Sequence, residues 1–376
     1  MKRKICIVAE DYPYEGHPNY PFVQELAYSL SNEGYECCVI APQSLSRSLI
    51  RHEALQRRKT IDISPDNKRV TVYRPYVITF SNAGSKIINQ FTYKSYQEAI
   101  FQTLKSIKDL DYVYCYFWHI GLITAKALLN KKVKLFVQAS ECDISVLDSY
   151  KTEKTIHRIN GVVCASRKNY DESRMARLID ENSYTAIIPN GFRKDEFYQI
   201  DKAEARKKVG IDPDVFIAAF VGDFNERKGV DRLSKAVDRF DDVYSLFIGK
   251  GNIVPTCNNI LYQGLVPHNQ LYLYLNCADV FVLPTQAEGC CNAIIEAVAC
   301  GLPVISSNKP FNNEILDDSY SIRINENSID EIEAAIKRLK SDESLRVEMS
   351  NNAKKNSEKF HIAKRAKAIA GFLENS

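Results

Sequence analysis

The chain has 376 residues, of which 45% are hydrophobic and 26% are charged, with 15 glycines and 13 prolines. This composition excludes a collagenous, low-complexity or wholly disordered chain, and the length favours two domains over one hydrophobic core. The net charge of +3 is small, and no cluster of basic and aromatic residues forms a known nucleic-acid-binding module. We therefore expect a two-domain globular protein that does not bind nucleic acid.

The eleven cysteines, an odd number without a C-x-x-C pair, favour a reduced intracellular protein over a disulfide framework. No His, Cys and Asp cluster has the spacing of metal ligands, so neither a metal ion nor another cofactor is expected. The apolar run at 5–9 is too short for a signal peptide, and the longest apolar stretch, 112–125, is too short for a membrane helix. These features predict a cytoplasmic location.

Short β-rich apolar runs alternate with stretches of helical periodicity along the whole chain. In the first half we expect strands at 5–9, 36–41, 70–73, 112–116, 135–138, 161–165 and 185–188, and helices at 21–33, 85–107, 120–130, 150–159 and 166–181. In the second half we expect strands at 216–221, 244–248, 260–263, 279–283 and 303–306, and helices at 229–239, 268–277, 290–300, 328–340 and 343–358. This alternation predicts an α/β fold with two doubly wound, Rossmann-like domains and a ligand site in the cleft between them.

Residues 47–59 (RSLIRHEALQRRK) combine apolar and basic positions at helical spacing. Such a helix can lie on an anionic membrane surface, or it can be an ordinary solvated surface helix.

The loop after the first strand, residues 10–19, contains a single glycine. Neither a dinucleotide fingerprint, G-x-G-x-x-G, nor a P-loop, G-x-x-x-x-G-K-[ST], is present. NAD-dependent enzymes and P-loop kinases are therefore disfavoured.

The most informative segment is 278–307, ADVFVLPTQAEGCCNAIIEAVACGLPVISS. An expected strand runs into a loop that ends at the start of an expected helix, which Gly301 terminates. Free backbone N–H groups at the helix start, together with the helix dipole, form an anion site suited to phosphate. The residues that supply these groups are Gly289, Cys290, Cys291 and Asn292.

Two carboxylates flank this expected phosphate site, Glu288 at the helix start and Glu296 two turns further on. A carboxylate can accept hydrogen bonds from two adjacent sugar hydroxyls, so the pair fits a ligand with a sugar on each side of phosphate. Either residue alone could instead be a helix-dipole or surface carboxylate. Together they indicate a nucleotide sugar.

The same segment resembles the retaining glycosyltransferases of family four, glycosyl transferases group 1, whose motif is E-G-x-x-N-x-x-x-E-A-x-A-x-G-x-P-V-I. The matching positions are Glu288, Gly289, Asn292, Glu296, Ala297, Ala299, Gly301, Pro303, Val304 and Ile305. Further matches are VVCAS at 162–166, IIPNG at 187–191 and FVGDFNERKG at 220–229. The resemblance implies the GT-B fold, with an acceptor-side domain at 1–183, a donor-binding domain at 184–360, and a last helix within 361–376 that returns to the first domain.

By this resemblance, Glu296 would bind the ribose, while Glu288 and the amides that follow it would hold the donor sugar and phosphates. Lys228 would neutralise the leaving diphosphate in place of a metal ion, although a lysine before a glycine at such a turn is otherwise usually a solvated charge. The family's phosphate-binding arginine after V-G is replaced by Asp223, and Arg227 could substitute for it. An acidic group here would repel diphosphate.

On the acceptor side, Gly16 matches a glycine that approaches the donor phosphate, and His119 matches a histidine that contacts the donor sugar near the reacting carbon. A plain turn and a core histidine are the alternatives. The family's HG-x-D element is missing at 138–143, which reads QASECD.

We therefore expect a retaining, metal-independent glycosyltransferase that transfers a sugar from a UDP- or GDP-type donor to a glycan or lipid-linked glycan. Two alternatives remain open: a non-catalytic nucleotide-sugar-binding scaffold, and another GT-B enzyme such as a nucleotide-sugar epimerase.

Overall fold

The computed structural model describes residues 2–17, 19–80, 86–129, 132–144, 153–212 and 214–376. The chain divides into two compact units. The first, called here the N-terminal unit, comprises Met1–Ala165, Asn169–Ile188 and Arg365–Ser376. The second, the C-terminal unit, comprises Ser166–Lys168 and Pro189–Lys364. Each is an α/β unit built on a parallel sheet, so the predicted fold class is confirmed.

The described part of the N-terminal unit forms an eight-stranded sheet in the order β10-β9-β8-β7-β1-β2-β5-β4, in which β4 alone is antiparallel to its neighbour. A separate parallel pair joins β3 to β6. The strands are β1 Lys4–Val8, β2 Glu36–Ile40, β3 Gln43–Ser44, β4 Lys59–Ile63, β5 Arg69–Tyr73, β6 Tyr76–Val77, β7 Tyr112–Tyr116, β8 Lys134–Ala139, β9 Gly161–Cys164 and β10 Thr185–Ile187.

The helices of this first part of the chain are α1 Pro21–Asn32, α2 Leu45–Arg51, α3 Lys86–Ser106, α4 Trp118–Ala127, α5 Glu153–Ile156 and α6 Arg167–Met175. The central strands are apolar on both faces because helices cover both sides of the sheet. The last helix, α13 Ile362–Glu374, belongs largely to this unit, and its Ile369 and Phe372 join the core that contains Ile5 and Val39. The return of the C-terminal helix to the first unit is thus confirmed.

The C-terminal unit forms a six-stranded, fully parallel sheet within the described residues, in the order β13-β12-β11-β14-β15-β16. Its strands are β11 Phe216–Val221, β12 Val243–Ile248, β13 Ile260–Gly264, β14 Val280–Leu283, β15 Val304–Ser307 and β16 Ser321–Ile324. Its helices are α7 Lys202–Val209, α8 Val230–Val237, α9 Leu271–Cys277, α10 Asn292–Ala299, α11 Ile329–Ser341 and α12 Glu343–Ser357.

Several elements differ from the sequence-based expectations. The helix expected over 47–59 is wrong in extent, because α2 ends at Arg51, His52 adopts a left-handed conformation (φ 55°), and the chain enters β4 at Lys59. The helix expected over 150–159 is present as α5, and residues 150–152 lie outside the described residues. The helix expected over 166–181 ends at Met175, shortly before Arg177 takes a positive φ.

Five of the described strands and helices were not expected from the sequence. Strand β4 is an antiparallel edge strand with charged, exposed positions, and α7 is strongly charged. Strands β3 and β6 have two residues each and β16 has only four, so none of the five carries a strong apolar period. Among the described helices, none combines the length and the apolar character that crossing a bilayer requires.

The strand order decides where loops can gather around a ligand. In the C-terminal unit, β12 and β14 flank β11 on opposite sides, so the order of the strands reverses beside β11. In the N-terminal unit, β2 and β7 flank β1 in the same way. Ligands of such sheets bind beyond the carboxyl ends of the strands at this reversal. We therefore expect ligands to bind at the loops after β1, β7, β11 and β14.

Candidate functional site

Two loops of the C-terminal unit meet where β11 and β14 end. Gly229 takes a left-handed conformation (φ 77°) at the start of α8, and a side chain there would place its Cβ 2.5 Å from the carbonyl oxygen of Pro284. The amide of Gln286 donates to the carbonyl of Arg227 at 2.8 Å. Glycine is required at 229 both by conformation and by this close approach.

A buried ion cluster joins the two loops. Glu288 is only 6% exposed, and its Oε1 lies 2.6 Å from Lys228 Nζ and 3.0 Å from Arg227 Nη1. Thr285 Oγ1 donates to the same carboxylate oxygen at 2.8 Å, and Arg227 also donates to the carbonyl of Ala287 at 2.6 Å. A buried carboxylate is costly unless it is paired and hydrogen-bonded, as this one is. The structure thus brings three predicted site residues together.

The charge of Lys228 is maintained by its neighbours. Burial acts to lower the pKa of Lys228, but the Glu288 carboxylate opposes this effect, and the pKa is raised from its ordinary value. Burial also raises the pKa of Cys291 to about 12, so this thiol is neutral at pH 7. The Glu288 carboxylate is therefore the negative partner that keeps Lys228 protonated near neutral pH.

The helix expected over 290–300 is shorter than predicted, because α10 begins at Asn292 with Cys291 as its N-cap. Cys291 makes no side-chain capping hydrogen bond, and the first turn contains no acidic side chain. Asn190 Nδ2 donates to Asn292 Oδ1 at 2.8 Å, and the Asn190 amide donates to Cys290 Sγ at 3.4 Å. The first amides of any α-helix lack an intrahelical acceptor and carry the positive end of the dipole, so this start, which follows the buried Gly289, can bind an anion.

Glu296 lies inside α10 and is not part of the Glu288 ion cluster. Its Oε1 lies 3.6 Å from His268 Nε2, and its side chain is 13% exposed. His268 Nδ1 is in turn 3.7 Å from Glu196 Oε2, and the imidazole packs edge-on against Phe197. The sequence offered no context for His268, because it depends on the fold bringing the 3-10 turn before α9 beside α10.

In the N-terminal unit, His119 pairs with an acidic residue that follows β1. His119 Nε2 lies 2.8 Å from Glu10 Oε1, and the Tyr20 hydroxyl donates to Glu10 Oε2 at 2.5 Å. Burial alone would lower the pKa of His119 and raise that of Glu10. Their contact reverses both effects, so the pKa of His119 is raised and that of Glu10 is lowered to about 2. His119 is thus partly exposed and paired with a carboxylate, and it is not an apolar core histidine.

A second carboxylate, that of Glu141, lies close to this pair. Glu141, which follows β8, accepts hydrogen bonds from the amides of Trp118 and Ser140. Burial raises the pKa of Glu141 in spite of these bonds and of the charge on His119. This residue occupies the missing HG-x-D element, and its contact with the amino end of α4 could not be seen in the sequence.

Gly16 lies in a tight turn after β1, where Tyr14 and His17 form an antiparallel bridge. Its φ of +78° is unfavourable for other residues, although no atom lies within 4 Å of the place a Cβ would occupy. A cavity of about 130 Å³ opens beside this turn, lined by Glu10, Arg47 and Tyr96 among others. Glycine is required here for conformation, not for space.

A much larger cavity lies elsewhere in the N-terminal unit. It measures about 990 Å³ and is lined by residues such as Gly161 and Tyr184, at the amino ends of β9 and β10. Because functional loops in parallel sheets follow the carboxyl ends of strands, we do not assign the site to this cavity.

The part of the C-terminal unit that contains the ion cluster matches a known protein family. Residues 201–356 match the family model described as glycosyl transferases group 1. The matched segment contains Arg227, Lys228, Glu288 and the whole of α10. This chain carries a group 1 glycosyltransferase domain.

The likeness extends beyond this glycosyltransferase domain. The chain is 24% identical over 385 residues to the putative teichuronic acid biosynthesis glycosyltransferase TuaC of Bacillus subtilis (strain 168), with 97% of each chain covered. Sucrose-phosphate synthase from Thermosynechococcus elongatus matches with a TM-score of 0.76 at 16% identity, covering 100% of this chain and 99% of that one. HepE from Anabaena, solved with UDP, matches with a TM-score of 0.73 at 14% identity, covering 99% and 100%. The solved structures show that the fold is GT-B, as predicted.

The residues assigned to the glycosyltransferase site therefore fall into two groups. Arg227, Lys228, Glu288 and Glu296 belong to the C-terminal unit, as do Gly289, Cys290, Cys291 and Asn292, whereas Gly16 and His119 belong to the N-terminal unit. Glu10 and Glu141 were missed in the sequence. Glu10 directly follows an expected strand and Glu141 comes three residues after the end of another, and these positions are the signal that could have found them. Within the described residues, no group of three His, Cys, Asp or Glu side chains is arranged as metal ligands.

The Glu10–His119 contact predicts a pH-dependent contribution to stability. Folding lowers the pKa of Glu10 from 4.5 and raises that of His119 from 6.5, so their attraction is fully present between these two values. It is lost as the pH rises through the raised pKa of His119, and as the pH falls towards about 2. Because both side chains are partly exposed, Glu10→Gln should lower the free energy of unfolding by only about 0.5–1 kcal/mol at pH 5.5.

Urea denaturation of both proteins between pH 5 and pH 9 measures this difference. It should shrink towards pH 9, where His119 loses its charge. The control is Glu15→Gln, which alters an exposed carboxylate in the same loop. A difference that stays constant over this range would show that the pair is not ionised.

Proposed function

We propose that this protein is a retaining glycosyltransferase that moves a sugar from a nucleotide diphosphate donor, of the UDP or GDP type, to a hydroxyl of a glycan or lipid-linked glycan. The buried cluster of Lys228, Arg227 and Glu288 beside the start of α10 is the observation that carries this proposal. The similarity to TuaC supports a role in cell-surface polysaccharide synthesis. The binding of UDP by HepE, which has the same fold, supports a nucleotide sugar as donor.

The ion cluster suits a diphosphate leaving group. Two cations and one carboxylate leave a net charge of +1, and the first amides of α10 add the positive end of a helix dipole. Fixed positive charge of this kind stabilises the negative charge that develops on the diphosphate as the glycosidic bond breaks. Lys228 thereby fills the place of a metal ion, and we propose that the reaction is metal-independent.

The remaining roles follow the family resemblance. Glu288, with the amides that follow it, holds the donor sugar and phosphates, and Glu296 binds the ribose. His119 contacts the donor sugar, and Gly16 lies in the loop that approaches its phosphate. The leaving diphosphate helps to deprotonate the acceptor hydroxyl on the same face of the sugar, so no protein nucleophile is required.

Because nucleotide sugars are the substrate, we place the reaction in the cytoplasm, at the inner face of the membrane when the acceptor is lipid-linked.

The two carboxylates should have separable functions. Glu296→Ala should weaken binding of the nucleoside diphosphate, because it removes the acceptor for the ribose hydroxyls. Glu288→Gln should lower turnover of the intact donor by about a hundredfold. It should leave nucleoside diphosphate binding close to unchanged, since Lys228 and Arg227 remain and lose a competing anion. Steady-state kinetics and isothermal calorimetry measure the two effects.

Glu226→Gln is the matched control, because it alters an exposed carboxylate in the neighbouring loop after β11, next to Arg227 and Lys228. An equal loss of turnover and diphosphate binding in Glu288→Gln would contradict the roles assigned here.

Nucleotide selectivity tests the proposed function directly. Thermal unfolding is followed with UDP, GDP, ADP, CMP and their sugars, all in the presence of EDTA. One nucleotide should stabilise the protein selectively, by roughly 2.7 kcal/mol at a hundred times its dissociation constant, and EDTA should not abolish the shift. A shift that requires added divalent metal would contradict metal independence. Absence of any shift for folded protein would contradict the donor site.

A second assay separates the catalytic alternatives. Each stabilising nucleotide sugar is incubated with the protein, with and without a glycan acceptor, and the products are analysed. A glycosyltransferase forms the glycoside only when acceptor is present, whereas an epimerase converts the donor sugar without it. A scaffold binds the donor and changes it in neither case.

We also propose that the N-terminal unit contacts an anionic membrane through one surface, called here the α2 patch. Leu49 and Ile50 of α2 are 77% and 78% exposed, and Phe80 and Phe91 are more than half exposed. Hydrogen bonds hold these segments together, because the Thr79 amide donates to Ser46 Oγ at 3.0 Å and the Phe80 amide donates to Thr92 Oγ1 at 3.2 Å. The exposed basic residues beside these apolar side chains are Arg47, Arg57, Arg58 and Lys59.

An apolar patch bordered by basic charge is complementary to a bilayer with anionic headgroups. The structure thus supports the membrane alternative without the full expected helix, since α2 is short. Residues 47–59 still supply Leu49, Ile50 and the basic side chains, whereas Phe80 and Phe91 come from the segment after β6 and from α3. A lipid-linked acceptor would be presented at such a surface.

Liposome co-sedimentation tests the α2 patch. The unmodified protein should pellet with vesicles that contain phosphatidylglycerol, and less so at 500 mM than at about 50 mM salt, because salt screens the attraction. The double variant Leu49→Ser/Ile50→Ser should lose most of this binding.

The control Leu129→Ser/Met175→Ser removes exposed apolar residues elsewhere in the same unit and should bind normally. Absence of binding at low salt would contradict the proposal. Loss of a dimer in size-exclusion chromatography of the patch variant, without membrane binding by the unmodified protein, would identify a second copy of the chain as the occupant.

A further inference from the structure

A second turn of the C-terminal unit packs directly against the turn that carries Asp223. It follows β12 and contains Lys250 between two glycines. The Phe224 amide donates to the Lys250 carbonyl at 2.8 Å, and the Gly222 amide donates to the Ile248 carbonyl at 3.0 Å. The backbone of Lys250 is therefore held beside Asp223 at the carboxyl edge of β11 and β12.

The two glycines make this close packing possible. A Cβ at Gly249 would lie 1.9 Å from the carbonyl oxygen of Gly222, and a Cβ at Gly251 would lie 2.2 Å from that of Phe224. Neither position can carry a side chain without separating the two turns. Lys250 is thus the single residue of the turn that presents a side chain, and its backbone is fixed on both sides.

The Lys250 side chain is exposed. Lys228 of the ion cluster runs alongside Gly222, since a Cβ there would lie 3.4 Å from Lys228 Cδ, and the carbonyl of the same Gly222 packs against Gly249 of the Lys250 turn. Within the part of the chain that the structure describes, neither the Lys250 nor the Asp223 side chain forms an ion pair or a hydrogen bond. Arg227, the expected substitute for the missing arginine, is already paired with Glu288.

We propose that Lys250 is a further binding residue for the diphosphate of the donor, and that it offsets the repulsion from Asp223. This inference rests on the proposed function, because it requires a nucleoside diphosphate to bind at the carboxyl edge of this sheet. An exposed ammonium group acts on phosphate as a point charge, so its effect on affinity is moderate and depends on salt. The glycine-flanked turn fixes the backbone of Lys250 before the ligand arrives, and this reduces the backbone entropy lost on binding.

Calorimetric titration with UDP, uridine, GDP and guanosine tests this role at low ionic strength. Lys250→Ala should weaken binding of the preferred nucleoside diphosphate roughly fivefold and leave its nucleoside unchanged, because only the diphosphate carries the opposing charge. Lys250→Arg should restore the affinity. The control Lys337→Ala removes an exposed lysine from α11 and should have no effect.

A charge-compensation cycle sharpens the test. Asp223→Asn should strengthen diphosphate binding, and the double variant Asp223→Asn/Lys250→Ala should return it to near the unmodified value. If the effects of the two substitutions on affinity add in this way, they arise from charge and not from a change in the packing of the turn. Unchanged melting temperatures of the variants would show independently that the packing is intact.

Three results would overturn the inference. The first is unchanged diphosphate affinity in Lys250→Ala while the unmodified protein binds UDP or GDP. The second is an equal loss of nucleoside affinity, which would mean that Lys250 holds the nucleoside or the loop. The third is absence of UDP and GDP binding by the unmodified protein, in which case the proposed function itself fails.

Discussion

The buried carboxylate of Glu288 is the constraint on which the C-terminal unit's site depends. A charge that is 6% exposed must be neutralised locally, and Lys228 and Arg227 supply the cations from a loop that follows a different strand. The ion cluster therefore fixes the loops after β11 and β14 against each other. It also holds two positive groups beside the start of α10, where an anion is already favoured. The same ion cluster that joins the loops thus leaves positive charge where the proposed function requires the donor diphosphate.

Both units place their reactive residues by the same architectural rule. Glu10 follows β1 and His119 follows β7, while Lys228 follows β11 and Glu288 follows β14. Helices cover both faces of each parallel sheet, so the carboxyl edge is the surface left open for polar side chains. A cavity of about 990 Å³ lies at the opposite edge, around Gly161, away from the residues assigned to the site.

Charge in each unit is arranged in compensated groups. Glu10 pairs with His119 in the N-terminal unit, and the Glu288 cluster keeps Lys228 protonated in the C-terminal unit. Asp223 departs from the family pattern and adds an anion where a cation is usual, and the neighbouring turn supplies an exposed lysine. A nucleotide sugar, with a charged diphosphate between two neutral sugars, is complementary to such a distribution of charge and hydroxyl acceptors.

The sequence by itself determined the alternation of strands and helices, the two-unit α/β fold and the glycosyltransferase motif from Glu288 to Ile305. These features are local, because periodicity and motif spacing depend only on residues that are close together in the chain. It did not reveal the edge strand β4, the early end of α2, or the partners of His119 and Glu288. Those depend on strand order: Glu10 and His119 are 109 residues apart and meet because β1 pairs with β7. Only the tertiary structure decides such contacts, since a side chain's partner is set by which loops the sheet brings to its carboxyl edge.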